Sequence, residues 1–120
     1  MKIFWKALHL AATGIYLFFK YERNAKIQGC IALAAILLGI VLHVSKTEWI
    51  FILICIALVI ALEMLNTAIE KTCNQITVQF QPNIKTIKDI AAGAVLWASC
   101  ISAIIGCLIF IPKIYALITT

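Results

Sequence analysis

Long apolar stretches separated by short polar segments dominate the pattern of side chains along this chain. A helix needs about 20 mainly apolar residues to cross a membrane. Three stretches meet this requirement, and we predict spans at about 28–44, 49–72 and 90–111, the last closed by Pro112. A tight polar turn, SKTE, separates the first two spans, and a longer polar loop separates the last two. The pattern predicts an all-α integral membrane protein.

The N-terminal segment, at about 2–20, has a different pattern. Its residues Lys2, Lys6, His9 and Thr13 recur at spacings that place them on one face of a helix. The opposite side of this helix is apolar. These features predict an amphipathic helix that lies along the membrane surface. A fourth span is the alternative interpretation.

Composition supports a membrane location for the whole chain, which we interpret as one domain over residues 1–120. Hydrophobic residues make up 64% and charged residues 12% of the sequence, whereas soluble domains have about 45–50% and about 25%. So little polar surface would not cover a soluble globule. Lys6 and His9 interrupt the first apolar run, which argues against a cleaved signal peptide.

The basic residues are distributed unevenly between the two sides of the predicted membrane. Five Lys and Arg residues precede the first span, and Lys71, Lys85 and Lys88 accompany the second polar loop. Only Lys46 and Lys113 fall on the other side. The excess of positive charge predicts that the N-terminus and second loop are cytoplasmic and that the C-terminus is outside.

Small residues recur at four-residue intervals in the third span, at Ala94, Ala98, Ser102 and Gly106. Such a stripe allows helices to approach closely in lipid. It predicts a packed contact between helices, within one chain or between chains. A chance arrangement in an alanine-rich span is an equal alternative.

The second span carries polar side chains in apolar surroundings. In a helix, Glu63, Asn66, Glu70 and Asn74 fall within about one third of the circumference, near the predicted cytoplasmic end. Because an ionised carboxylate is costly against lipid, these groups must face protein, water or a cation. Polar contacts between helices explain Asn66 well, but they explain two acids poorly.

The spacing of the two acids suggests two separate roles. Glu63 and Glu70 lie about 10 Å apart along a helix. Glu70, nearer the cytoplasm, could hold a divalent cation. The deeper Glu63 could accept the proton of a hydroxyl that attacks phosphorus.

Charged residues near the other spans have two interpretations each. Glu22 precedes the first span at the same interface, but it also belongs to an ordinary charged run. Asp89 is placed to cap the third helix, whereas Lys88 opposes the helix dipole there and could serve an anionic ligand, as could Lys85. The phosphate-binding motifs GxxxxGK[ST] and GxGxxG are absent, so any ATP site lies outside these designs.

Three sequence blocks together resemble the prokaryotic diacylglycerol kinase family, which includes the undecaprenol kinases of Gram-positive bacteria. The blocks are ERN at 22–24, EMLNTAIE at 63–70 and KDIAAGAV at 88–95. Their order on a three-span chain makes the resemblance specific, and it covers nearly the whole sequence. Asn74 departs from the family pattern, which usually has Asp. Lys26 stands where the family has Arg, whose planar fork Lys lacks.

The resemblance implies a homotrimer in the bacterial inner membrane with active sites composed between subunits. It also implies transfer of the γ-phosphate of ATP to a lipid hydroxyl with Mg²⁺. By matched position, Glu63 is the expected general base and Glu22 and Glu70 are the expected metal ligands. The expected nucleotide-binding residues are Glu22, Asn66, Glu70, Lys88 and Asp89.

We therefore expect an ATP- and Mg²⁺-dependent lipid kinase that converts diacylglycerol to phosphatidic acid. Undecaprenol is the alternative acceptor, because nothing in the sequence distinguishes the lipid tails. A small ion transporter is disfavoured, since no ionisable relay crosses the outer halves of the spans. A non-catalytic membrane scaffold is disfavoured by the presence of Glu22, Glu63 and Glu70. We expect no nucleic-acid partner.

Overall fold

The computed structural model describes all 120 residues and contains four helices. They are α1 (Lys2–Tyr21), α2 (Arg23–Val41), α3 (Lys46–Ile76) and α4 (Pro82–Thr119). Helices α2, α3 and α4 are long and apolar enough to cross a membrane, and α1 is not among these candidates. The predicted all-helical architecture, with three helices long and apolar enough to cross a membrane, is confirmed. That α1 lies along the membrane surface stays a prediction.

Helix α2 ends in a turn that carries an unusual residue. His43 has φ = 54°, the left-handed region, and no other non-glycine residue has a positive φ. The N–H of Val44 donates to the Gly39 carbonyl (3.2 Å), and the N–H of His43 donates to the Ile40 carbonyl (3.3 Å). This is a Schellman ending, which most often has glycine at the left-handed position. It terminates α2 before the end of the predicted span and directs Val44 into the core.

Helix α3 begins with a reciprocal cap. The Glu48 N–H donates to Ser45 Oγ (3.1 Å), and the Ser45 N–H donates to Glu48 Oε1 (2.9 Å). These bonds satisfy backbone donors that the first turn of a helix would otherwise leave without partners. The segment predicted to be a tight turn, SKTE, is therefore a cap followed by the first turn of α3.

The prediction of a long loop between the second and third spans is wrong. Helix α3 continues to Ile76 and α4 begins at Pro82, so only residues 77–81 connect them. Proline is compatible with the first helical position, where its missing N–H would have no helical partner in any case. The polar residues that suggested a loop instead form exposed helical surface beyond the apolar part of each span.

The prediction that Pro112 closes the last span was also wrong, because α4 continues through it to Thr119. A proline inside a helix removes one backbone hydrogen bond, which membrane helices tolerate when the surroundings compensate. Immediately after the proline, Lys113 Nζ forms an ion pair with Glu48 Oε1 of α3 at 3.1 Å. This contact attaches the last turns of α4 to the start of α3.

Helices α3 and α4 pack antiparallel, and two polar contacts fix their register. Asn74 meets Lys88 at one end, and Glu48 meets Lys113 at the other. Since both helices rise about 1.5 Å per residue, residue n of α3 lies level with about residue 161 − n of α4. Ile52 and Ile109, which share the buried core cluster, obey this relation.

The packed interior is a narrow seam between helices, and most large apolar side chains face outward, as lipid contact requires. Where α2 approaches α3, a Cβ on Gly39 would lie 2.7 Å from the Trp49 ring. Along the predicted small-residue stripe, Ala98 is buried but Ala94 is exposed. A Cβ on Gly106 would meet nothing within 4 Å. The stripe therefore does not mark a continuous close contact within the chain.

Candidate functional site

One stripe of α3 faces the interior of the bundle. The buried residues of this helix lie within about 80° of its circumference; they are Ile52, Val59, Glu63, Asn66 and Cys73. Glu63 is only 3% exposed and Asn66 7% exposed. The prediction that these polar groups turn toward protein is confirmed for both.

Neither Glu63 nor Asn66 acts as a hydrogen-bonded link between helices. Glu63 Oε1 and Asn66 Oδ1 are both buried and have no hydrogen-bond partner. A buried polar atom left without a partner typically costs about 1–3 kcal/mol. Polar contact between helices, the simpler explanation at the sequence level, therefore does not account for them. Groups of this kind are expected where a ligand or a reaction uses them.

Glu70 and Asn74 continue the same stripe by angle but are exposed. The neighbouring helices cover α3 only in part here, since Cys73, between Glu70 and Asn74, is still buried. Lys88 Nζ of α4 donates to Asn74 Oδ1 at 2.7 Å. The structure thus brings Lys88, one of the predicted nucleotide-binding residues, onto the face that carries Glu70. The buried Glu63 lies earlier on α3, deeper in the bundle than Glu70.

Glu22 forms the junction between α1 and α2 and reaches the same end of the bundle. Its Oε1 pairs with Lys71 Nζ on α3 at 3.1 Å, which places Glu22 beside the residue next to Glu70. No group of three His, Cys, Asp or Glu side chains comes together within the chain as a metal site. The predicted metal ligands Glu22 and Glu70 therefore lie near each other in the fold, but they do not form a cluster of acids with Glu63.

Asp89 lies apart from the buried polar groups. Its Oδ2 accepts from Lys85 Nζ at 2.6 Å, and both side chains are more than 60% exposed. Such a pair on a helix surface contributes little to stability. Within one chain, Asp89 is on the same end of α4 as Lys88 but does not contact Glu63 or Asn66.

Two cavities adjoin these residues. A polar groove of about 390 Å³ is formed by Asn74, Lys85, Lys88 and the 77–81 connection. An apolar cavity of about 360 Å³ lies between α2, α3 and α4 and includes Val59, one turn from Glu63. The sequence interpretation missed both cavities, because it took 77–81 as part of a long loop and had no register for α4 against α3.

Ser99 is a residue that the sequence interpretation passed over as one small polar group among others. Its Oγ is buried without a hydrogen-bond partner, and the residue lines the apolar cavity. Only its spacing could have indicated Ser99 from the sequence. It follows Val95 by four residues and Ala91 by eight, so it lies close to the face of α4 that carries these buried residues.

Comparison with known proteins identifies the family of this chain. The sequence model of the family described as prokaryotic diacylglycerol kinase matches residues 9–110. The chain is 41% identical over 111 residues to an undecaprenol kinase from Bacillus subtilis (strain 168), covering 92% of this chain and 90% of that protein. It is 32% identical over 108 residues to a diacylglycerol kinase from a Synechocystis strain, covering 89% of this chain and 62% of that protein. The chain therefore belongs to the prokaryotic diacylglycerol kinase family of lipid kinases, membrane phosphotransferases with an alcohol acceptor.

Proposed function

We propose that this protein transfers the γ-phosphate of ATP to undecaprenol. The expectation from the sequence put diacylglycerol first, and the comparisons favour the alternative. The undecaprenol kinase relative is more similar, at 41% identity, and matches over 90% of its own length. The diacylglycerol kinase relative is 32% identical, and this chain spans 62% of its length.

The observation that carries the kinase proposal is the depth at which the acids of α3 lie. Glu63 is buried within the seam, whereas Glu70, about 10 Å further along the helix, is open to solvent. A lipid alcohol reaches Glu63 from the bilayer, and a nucleotide reaches Glu70 from water. Reaction between two substrates of such different polarity requires a site at this boundary.

In the proposed reaction, Glu63 takes the proton of the lipid hydroxyl. The hydroxyl oxygen forms a new bond to the γ-phosphorus of ATP. The bond from that phosphorus to the bridging oxygen of ADP breaks, and ADP leaves with the electron pair. A positioned general base of this kind typically contributes about 10²–10⁴ in rate.

Magnesium fits the donors at this end of the bundle. Mg²⁺ prefers oxygen ligands, and the carboxylates of Glu70 and Glu22 supply them. Glu70 is exposed without an ion pair, whereas Glu22 would have to exchange its contact with Lys71. Bound there, the ion would neutralise phosphate charge. In the homotrimer that we propose, Glu22 and Glu70 of neighbouring subunits can complete one site.

The nucleotide is proposed to bind at the groove beside Lys88. Asn74 holds this lysine through an uncharged acceptor, so the full positive charge of Lys88 remains available to the phosphates. Asn66 and Asp89 complete the proposed nucleotide contacts. These residues share one end of the bundle, which we propose is the cytoplasmic side of the bacterial inner membrane, where ATP is present; the C-terminus then lies outside.

A purified-protein assay tests the proposal directly. The protein is given Mg²⁺, ATP labelled in the γ-phosphate, and either undecaprenol or diacylglycerol at equal mole fraction in the same detergent micelles. We expect undecaprenyl phosphate to form faster than phosphatidic acid. Faster formation of phosphatidic acid would overturn the acceptor assignment, and labelled product from neither lipid would overturn the kinase proposal.

A further inference from the structure

The chain has three buried side-chain oxygens without hydrogen-bond partners, and they lie at one level of the bundle. They belong to Glu63, Asn66 and Ser99. The register of the seam places Glu63 level with Ala98, the residue next to Ser99. Asn66 is about 4.5 Å further along α3. The two helices thus place the three unpartnered buried side-chain oxygens within about one helical turn of one another along the bundle.

Four threonine hydroxyls in these helices are satisfied by their own helix, whereas the buried hydroxyl of Ser99 is not. Thr13, Thr72, Thr86 and Thr119 each donate to the backbone carbonyl four residues earlier, at 2.7–2.9 Å. This bond is the usual way in which a hydroxyl within a helix is satisfied. Ser99 makes no such bond although its Oγ is buried. A group that binds at this level can therefore be its partner.

The cavity beside Ser99 indicates the chemistry of that group. Val59 and Ile60, one turn before Glu63, line the cavity together with Ser99, and most of its other lining residues are apolar. A ligand in this cavity must present a hydrogen-bonding atom to Ser99 and hydrocarbon to the apolar walls. Glu63 does not line the cavity but lies one turn beyond Val59, at the level of Ser99. An alcohol on a hydrocarbon chain has this combination, whereas a phosphate or a metal ion does not.

We propose that Ser99 is a further acceptor-binding residue, an inference that rests on the proposed kinase function. Its hydroxyl donates a hydrogen bond to the oxygen of the lipid alcohol, which places the alcohol proton toward Glu63. During transfer that proton moves to Glu63, one lone pair of the alcohol oxygen forms the bond to phosphorus, and Ser99 keeps its own proton. Ser99 thus orients the nucleophile without itself titrating.

Three variants separate this role from simple packing. Ser99→Ala removes the hydroxyl and Ser99→Thr keeps it. Cys100→Ala is the control, since Cys100 is next to Ser99 on α4 but is exposed and does not line the cavity. We expect Ser99→Ala to lower kcat/KM for undecaprenol by about tenfold, the effect of one lost hydrogen bond. The KM for MgATP should change by less than about twofold. Ser99→Thr should recover most of the loss, and Cys100→Ala should resemble the wild type.

A binding measurement without ATP keeps this inference separate from the kinase proposal. Undecaprenol should raise the Tm of the wild type and of Ser99→Thr but raise that of Ser99→Ala less. Wild-type kinetics and wild-type lipid-induced stabilisation in Ser99→Ala would overturn the role of Ser99. An equal loss in Cys100→Ala, or a rise in KM for both substrates, would overturn it as well. If the wild type phosphorylates no lipid, the proposed function fails, and the Tm series alone decides whether Ser99 binds the alcohol.

Discussion

The two ends of the α3–α4 hairpin handle their charged groups in opposite ways. At the end near Ser45, the Glu48 carboxylate accepts from the Ser45 backbone N–H and pairs with Lys113. At the other end, Glu63 is buried with an unpartnered oxygen, and Glu70 forms no ion pair. Among the acids of α3, the one that is satisfied within the chain, Glu48, contributes to structure. One that is left unsatisfied is available for a substrate, so the contrast locates the chemistry at one end.

The strongest test of this contrast exchanges each acid for its amide. Glu63→Gln should reduce kcat by about 10²-fold or more, because glutamine preserves the shape but cannot accept the alcohol proton. Glu48→Gln is the matched control at the opposite end and should leave kcat close to the wild-type value. Initial rates at saturating ATP and lipid measure both variants.

Binding of MgATP distinguishes a variant that has lost only its general base from a variant that no longer folds. The Glu63→Gln protein should still be stabilised by MgATP in a thermal melt, since glutamine keeps the shape of the side chain and the proposed metal ligand Glu70 lies about two turns away. Retained turnover in this variant would remove Glu63 as the base. A comparable loss in Glu48→Gln would remove the distinction between the two ends.

A smaller effect is expected at Asn74, which holds Lys88 at 2.7 Å. Asn74→Asp places a negative charge on the partner of this lysine and should offset the charge that Lys88 offers to phosphate. We expect the KM for MgATP to rise by up to about fivefold, since exposed ion pairs are worth up to about 1 kcal/mol. The KM for the lipid should not change. Steady-state kinetics in both substrates provide the measurement.

Ionic strength supplies the control for this prediction. Added salt screens exposed charges, so the difference in KM between Asn74→Asp and the wild type should shrink as salt is raised. A difference that persists at high salt would point to a change in structure instead of charge. Asn74→Ser, which keeps a neutral acceptor, should stay nearer to the wild type.

The sequence predicted much of the fold because long apolar stretches and helical periodicity are local properties. The ends of the helices were not predicted correctly. The length of an apolar stretch indicates which part of a helix can lie in the membrane, but it does not indicate where the helix begins or ends. Helix α3 continues past its apolar part to Ile76, and α4 begins at Pro82. The C-terminal end of α2 was not predicted because His43 occupies the left-handed position. This position is usually glycine, which is the residue that indicates such an ending in a sequence.

The site was predictable where one helix determines it and unpredictable where two helices meet. Glu63 and Asn66 stood out because polar residues at helical spacing interrupt an apolar run. Ser99 and the contact between Asn74 and Lys88 depend on the register of α4 against α3. That register follows from contacts between distant residues, and no periodicity along a single stretch encodes it.

At the opposite end, removal of a cap should change stability without changing catalysis. Ser45→Ala deletes the hydroxyl oxygen that accepts from the Glu48 N–H. We expect a loss of about 1 kcal/mol in stability, seen as a lower Tm in detergent. The KM values and kcat at a temperature below both transitions should match the wild type. A lower kcat would mean that this end also shapes the active site.

The smallest expected effect is a gain in stability at the turn between α2 and α3. His43 adopts a left-handed backbone conformation (φ = 54°), which costs a residue with a side chain about 1 kcal/mol relative to glycine. Because the Schellman hydrogen bonds use only backbone atoms, His43→Gly should keep them and raise the Tm. Part of this gain is offset by the greater freedom of glycine in the unfolded chain, whereas His43→Ala has no such gain and should leave the Tm unchanged or lower it. A fall in Tm for His43→Gly would show that the imidazole itself stabilises the turn, and a change in kcat would connect this end of the hairpin to the chemistry at the other.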